Sequence, residues 1–165
     1  ARFFRGEVDK YTWVDIGSSY LPSELVSAFL FAQMENAERI VSKRRSLFDL
    51  YYSVLTPLHE KGIVRLPYVG EGLACNGHIF YVITSSLKER TRLIEHLKAR
   101  DIICVFHYVP LHSSPAGMRF GRTATPMRVT DETSERLVRL PLYYEMQEDD
   151  VHRVADEVKS FYGHA

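Results

Sequence analysis

The most constraining feature of the sequence is an apolar stripe in its first half. Leu47, Leu50, Tyr51, Val54, Leu55 and Leu58 recur at i, i+3, i+4, i+7, i+8 and i+11. Side chains so spaced share one face of an α-helix, so the segment predicts a helix that buries this face in a core. Upstream, Leu25, Phe29, Leu30, Met34, Ala37 and Val41 also fall on helical spacings, and Pro22, Ser23 and Glu24 suit a helix start. With no internal cap the pattern reads as one helix, longer than the roughly 25 residues usual in a globular protein. Such a helix bridges two bodies or bends. Pro57 should end or kink it, because proline lacks the N–H donor and crowds the preceding turn.

After Gly62 the pattern changes to short β segments. Residues 63–66 form a weak candidate strand and 78–84 a better one. Ser85 or Ser86 can cap a helix over 87–100, with Leu87, Arg90, Leu93, Ile94 and Leu97 along one stripe. The run 102–108 is nearly continuous in apolar and β-branched residues and predicts a central strand. Pro110, Pro115 and Gly117 predict a loop to about residue 128. A short helix is expected around 134–138, extended chain over 140–144, and a last helix over 148–162. That last helix would turn Val151, Val154, Ala155, Val158 and Phe161 inward. The result is an α+β chain, with a small sheet covered by helices and fed by one long helix.

Composition narrows the function classes. With 45% apolar and 25% charged residues, the chain can order itself around a core. Its 21 basic and 21 acidic side chains balance, which argues against a nucleic-acid or anionic-membrane partner held by bulk charge. No apolar run approaches the roughly 20 residues of a membrane span. Cys75 and Cys104 have no metal-ligand spacing and make no disulfide framework, so they read as idle thiols of a reducing compartment, with the cytoplasm favoured. No signal segment precedes the first turn, and the opening Ala1-Arg2-Phe3-Phe4-Arg5 reads like the middle of a larger protein.

The densest polar group is His107-Tyr108-Val109-Pro110-Leu111-His112, at the end of the strongest candidate strand. Sites gather where strands enter loops, and imidazole and phenol groups can donate to an anionic ligand. A structural reading is the commoner one: His107 satisfied in a core and His112 solvated in a loop. Two histidines five apart across a proline, without a neighbouring thiol or carboxylate, do not match zinc-ligand spacings, so no metal is expected. Gly17-Ser18-Ser19, just before a helix start, could offer N–H groups and hydroxyls to a phosphate, or could serve simply as a turn and cap. Lys43-Arg44-Arg45 reads as a solvated helix face.

Four blocks in order carry a resemblance: residues 11–25 with the long helix to Gln33-Met34, then Asn76-Gly77-His78-Ile79-Phe80-Tyr81, then 107–117, then 134–142. Together they resemble the C-terminal part of the pyridoxal-phosphate-dependent sugar-nucleotide aminotransferases of fold type I. The resemblance implies the small domain of that fold over 21–165, with 1–20 as the edge of a mostly absent cofactor domain. It implies transfer of an amino group from L-glutamate to the 4-keto carbon of dTDP-4-keto-6-deoxyglucose, with pyridoxal 5'-phosphate as cofactor. The family's Schiff-base lysine matches none of Lys10, Lys43, Lys61, Lys88, Lys98 or Lys159, so the chain alone is expected to be inactive, with no catalytic residue of its own. The resemblance places Ser19 at a neighbouring subunit's cofactor phosphate. It places His107 and Tyr108 at the sugar-nucleotide pyrophosphate, and Tyr11 and His112 near the substrate. A homodimer or larger homo-oligomer follows from it, with no nucleic acid or membrane partner. The alternative is a stand-alone, non-catalytic α+β module that binds a small anion or pairs with itself.

Overall fold

The computed structural model describes residues 20–163. These fall into two compact units, one up to Asn36 and one from Ala37 onward. The expected strands or ordered loop before residue 20, with Tyr11 and Ser19, lie outside the described residues.

The first unit contains helix α1 (Glu24–Met34). Ser23 caps it, its hydroxyl oxygen accepting from the Val26 N–H at 3.4 Å. Leu25, Val26, Phe29, Leu30, Phe31 and Met34 are all exposed, so the apolar residues do not select a single face.

The second unit begins with α2 (Ala37–Glu60). The single long helix expected from sequence is therefore two helices, separated by a turn at 35–36. The turn is closed by the Asn36 N–H donating to the Gln33 carbonyl at 3.1 Å. α2 also continues one turn beyond Pro57. The turn survives because the Pro57 carbonyl still accepts, here from the Lys61 N–H at 3.3 Å. The stripe behaves as its spacing demands: Leu47, Tyr51, Leu55 and Leu58 are buried, and Leu50 and Val54 pack against them.

Strands β1 (Phe80–Ile83) and β2 (Leu137–Leu140) form an antiparallel pair with Phe80 opposite Leu140 and Val82 opposite Val138. Those four side chains alternate inward along the strands and close the sheet onto the helices. Phe80 stacks on Tyr51, ring centres 4.9 Å apart, and meets Phe48 edge-on at 5.0 Å. Residue 65 adds only a single bridge, to Ile83.

Residues 102–108 are not the expected central strand. Ile102 and Cys104 are buried, Ile103, Val105 and Phe106 are exposed, and one bridge, Val105 to Arg139, joins the segment to the outer side of β2. Extended chain turns successive side chains to opposite faces, and only one face of this segment meets the core, so Ile103 and Val105 are left outward. Its ends depart from strand geometry, with Asp101 and Tyr108 at φ of 59° and 51°.

Helix α3 (Leu87–Lys98) is capped by Ser86, whose oxygen accepts from the Glu89 N–H at 3.2 Å, and it buries Leu93 and Leu97. Two helices then differ from expectation. A short α4 (Pro115–Phe120) interrupts the expected loop, and α5 spans Arg128–Arg136, so 137 and 138 belong to β2 rather than to a helix. The extended stretch expected at 140–144 is strand only at Leu140.

Helix α6 (Glu148–Phe161) follows the sequence closely. Asp150 accepts from the Gln147 N–H at 2.8 Å, three carboxylates occupy the first turn, and Val151, Val154, Ala155 and Val158 are buried. Each of the three buried valines contributes roughly 1.5–3 kcal/mol of transfer free energy, and the Ala155 methyl less. Helix α6 packs against α2 and α3, and α3 also packs against α5.

Among the described residues, no helix is long and apolar enough to cross a membrane. Arg44 is not part of a solvated face. Its guanidinium donates to the carbonyls of His78 (3.1 Å) and Leu142 (3.2 Å), pinning α2 to the chain just before β1 and just after β2, at one end of the sheet. Gly77 packs so close beneath α2 that a Cβ there would lie 2.7 Å from the Arg44 carbonyl oxygen, and its φ of 62° also favours glycine.

Candidate functional site

From Val105 to Arg136 no residue is buried, in contrast to the flanking sheet and helices. Helices α3 and α5 and the 106–113 loop enclose a cleft of about 620 Å³ lined by Arg90, Phe106, Tyr108, Ser113, Asp131 and Ser134, among others. The bridge from Val105 to Arg139 fixes where the loop leaves the sheet, and α4 fixes where it ends. Ser114 caps α4: its hydroxyl donates to the Leu111 carbonyl at 2.6 Å, and its oxygen accepts from the Gly117 N–H at 3.1 Å. The fold is tight enough that a Cβ on Gly117 would overlap the Leu111 carbonyl oxygen.

Within the loop, Tyr108 lies at the cleft, 75% exposed. Its left-handed backbone costs a non-glycine residue about 1–2 kcal/mol. Strain of this kind persists only where the surroundings impose it. The His107 ring meets the Tyr108 ring edge-on at 5.2 Å, and its Nδ1 is buried without a hydrogen-bond partner. His107 is thus not the satisfied core residue of the structural reading. His112 points toward α5, where its Nε2 lies 3.0 Å from the Asp131 carboxylate. Tyr108 is therefore at the cleft, His107 packs beside it, and His112 clasps the far wall. Tyr11 and Ser19 lie outside the described residues.

Arg90, Phe106, Asp131 and Ser134 were not singled out as site residues from sequence. Arg90 donates through Nη1 to the Ser134 carbonyl at 2.9 Å, and its guanidinium carbon sits 5.8 Å over the Phe106 ring. A signal for it was present: Arg90 is the one charged residue in the stripe Leu87, Arg90, Leu93, Ile94, Leu97. Asp131 carried no comparable signal, since an acidic residue in the first turn of a helix is common.

Away from the cleft, burial and hydrogen bonding shift several titratable groups. Burial pushes the Cys104 thiol up to about 12, so it stays protonated and inert. Burial likewise raises the Tyr51 phenol, and nearby Cys104, Tyr143 and Asp150 add to the effect. Partial burial acts to raise the Glu89 carboxyl, but hydrogen bonds from the Ser85 hydroxyl, Tyr162 and the Ser85 backbone outweigh it and hold Glu89 below its usual range.

The cleft thus lies where a sheet segment passes into a loop, between two helices of an α+β domain, a common setting for ligand sites. The sequence over residues 3–159 matches the DegT/DnrJ/EryC1/StrS aminotransferase family, and the chain belongs to that family as its C-terminal part. It is 23% identical to dTDP-4-dehydro-2,3,6-trideoxy-D-glucose 4-aminotransferase of Saccharopolyspora spinosa over 91% of the chain and 37% of that protein. It is also 23% identical to GDP-perosamine synthase of Escherichia coli O157:H7, over 96% of the chain and 43% of that protein. The structure superposes on DesV of S. venezuelae, solved in complex with a ketimine intermediate, with a TM-score of 0.78 at 25% identity, covering 93% of the chain and 40% of DesV. The chain thus spans well under half the length of these relatives. The α+β architecture is that of the C-terminal domain of fold-type-I sugar aminotransferases.

The family depends on pyridoxal 5'-phosphate. No lysine lines the cleft, and its one arginine is already committed to Ser134 and Phe106. The residues lining this cleft therefore do not fit the cofactor itself.

Proposed function

We propose that this chain supplies the sugar-nucleotide side of a pyridoxal-phosphate-dependent aminotransferase whose cofactor lysine lies outside it. The observation that carries this reading is the 106–112 loop. Strained backbone presents Tyr108 at the cleft, the unpartnered Nδ1 of His107 lies beside it, and α5 clasps His112. Imidazole and phenol groups of the loop can donate to a pyrophosphate, across the cleft from the Asp131 and Glu135 carboxylates of α5. His107 and Tyr108 bind the diphosphate of the sugar nucleotide, and His112 and Tyr11 lie near the same substrate. Ser19 contributes to the cofactor phosphate of a neighbouring subunit, which makes the working enzyme a homodimer or a larger homo-oligomer. Residues 1–20 are the edge of the cofactor domain and 21–165 the small domain.

The particular reaction proposed is transfer of the amino group of L-glutamate to the 4-keto carbon of dTDP-4-keto-6-deoxyglucose. That is the reaction of dTDP-4-amino-4,6-dideoxygalactose transaminase in enterobacterial common antigen synthesis, in the cytoplasm. The bound cofactor supplies the electron sink for moving the amino group, while this chain binds and orients the sugar nucleotide.

The test uses the full-length protein with added pyridoxal phosphate. A stoichiometric Schiff-base absorbance is expected there, and none from the 165-residue chain alone. His107→Ala and Tyr108→Phe should weaken sugar-nucleotide binding more than glutamate binding. Equal losses in both half-reactions would make these residues structural. A full-length protein that forms no Schiff base would return the assignment to a non-catalytic module.

A further inference from the structure

We propose that Arg90 is the positioning residue of the 106–112 loop, setting where Tyr108 and His112 stand against the ligand. The inference rests on the sugar-nucleotide reading above and adds a residue from outside the loop.

Arg90 occupies a stripe position on α3, next to the buried face that carries Leu93 and Leu97. Its Nε is buried with no hydrogen-bond partner. An aliphatic side chain would fill that position without leaving a polar nitrogen orphaned, so stability alone does not account for the arginine. Its guanidinium makes two contacts that no aliphatic group can make. One nitrogen donates to the Ser134 carbonyl of α5 at 2.9 Å, and the guanidinium carbon lies over the ring of Phe106, which immediately precedes His107.

Helix α5 then carries the constraint onward. The Ser134 hydroxyl donates to the Asp131 carbonyl at 2.9 Å, and the Asp131 carboxylate holds His112 at 3.0 Å. Arg90 thus secures the loop at Phe106 directly and at His112 through α5. Between these two anchors Tyr108 keeps a backbone conformation that an unrestrained tyrosine would leave. The loop has no side chain classed as buried, so these contacts restrain its middle, between the Val105 bridge at its start and the Ser114 hydrogen bond to Leu111 at its end.

The experiment compares wild-type full-length protein with Arg90→Leu and Arg90→Lys. In hydrogen-exchange mass spectrometry, Arg90→Leu should speed exchange over residues 105–114 by about tenfold, the factor set by losing one charge-assisted hydrogen bond. Peptides from α2 and α6 should keep wild-type rates. The KM for dTDP-4-keto-6-deoxyglucose should rise by a similar factor, with the glutamate half-reaction unchanged. Arg90→Lys, which keeps the charge and loses the fork, should recover only part of either effect. Unchanged loop exchange, or acceleration shared equally by α2 and α6, would overturn the proposal. Should Arg90→Leu fail to fold, the loop-against-core comparison is read from Arg90→Lys with the same outcomes. A wild-type enzyme that does not turn over the sugar nucleotide would defeat the substrate reading, while the exchange rates would still decide whether Arg90 positions the loop.

Discussion

Side chains such as Leu47, Tyr51, Leu55, Phe80, Leu93 and Val158 lose all exposure where α2, α3, α6 and the two strands meet. A short distance along the chain, Tyr108, Val109, Leu111 and Phe120 stand largely in the open. The first region is held by area removed from water, which is non-directional and tolerant of small displacements. The second is held by a few directional contacts: Val105 to Arg139, Arg90 to Ser134 and His112 to Asp131. A cleft built in this way can be altered without unfolding the body that carries it. Binding residues are commonly placed on loops fixed to a rigid scaffold for this reason.

Three changes in the full-length protein probe that contrast, from the largest effect to the smallest. Leu55→Ala removes a fully buried side chain from the α2 stripe and should cost about 2–5 kcal/mol in denaturant unfolding. The folded fraction should keep its sugar-nucleotide KM, and a KM shift as large as that of a loop variant would erase the distinction. His112→Ala should behave in the opposite way. A single contact between partly exposed polar side chains is worth about 1 kcal/mol, so the unfolding midpoint should barely move while the sugar-nucleotide KM rises severalfold. A large loss of stability would place His112 with the core.

The smallest effect concerns pH. Ser85 and Tyr162 hydrogen bonds hold the Glu89 carboxyl below its ordinary 4.5, tying the start of α3 to the end of α6. Because its folded pKa is depressed, the stabilisation is present above 4.5 and is lost as the pH falls through the folded value. Thermal midpoints between about pH 6 and pH 3 should therefore fall more steeply for wild type than for Glu89→Gln. Parallel curves would show that the tether carries no linked proton.

The body was largely legible in the sequence because periodicity reports burial. The stripe on α2, the stripe on α6 and the Ser86 cap of α3 appear where spacing and capping chemistry place them. The misreadings share one cause. The 102–108 run is apolar enough for a central strand, but its outward residues have no covering layer within the described second unit. Hydrophobicity along a sequence does not say how many neighbours a strand will find. The break at 35–36 was hidden for a similar reason, since Glu35 and Asn36 are tolerable inside a helix and only the turn itself reveals the interruption. Arg44 looked like part of a charged surface because its partners, the His78 and Leu142 carbonyls, lie 34 and 98 residues away along the chain.

The candidate site divides in the same way. His107, Tyr108 and His112 could be named from sequence because three polar groups crowd the exit of an apolar run, and the ordered blocks around them resembled a family. The sequence by itself determined that α2, α3 and α6 carry buried faces and which loop carries the donors, because these depend on spacing within a few turns of chain. Only the tertiary structure decided that Tyr108 is held in a left-handed conformation, that His107 keeps an unpartnered nitrogen, and that Arg90 and Asp131 close around them. Those facts depend on α3, the loop and α5 meeting in space, and residues far apart in sequence leave no periodic trace of such a meeting.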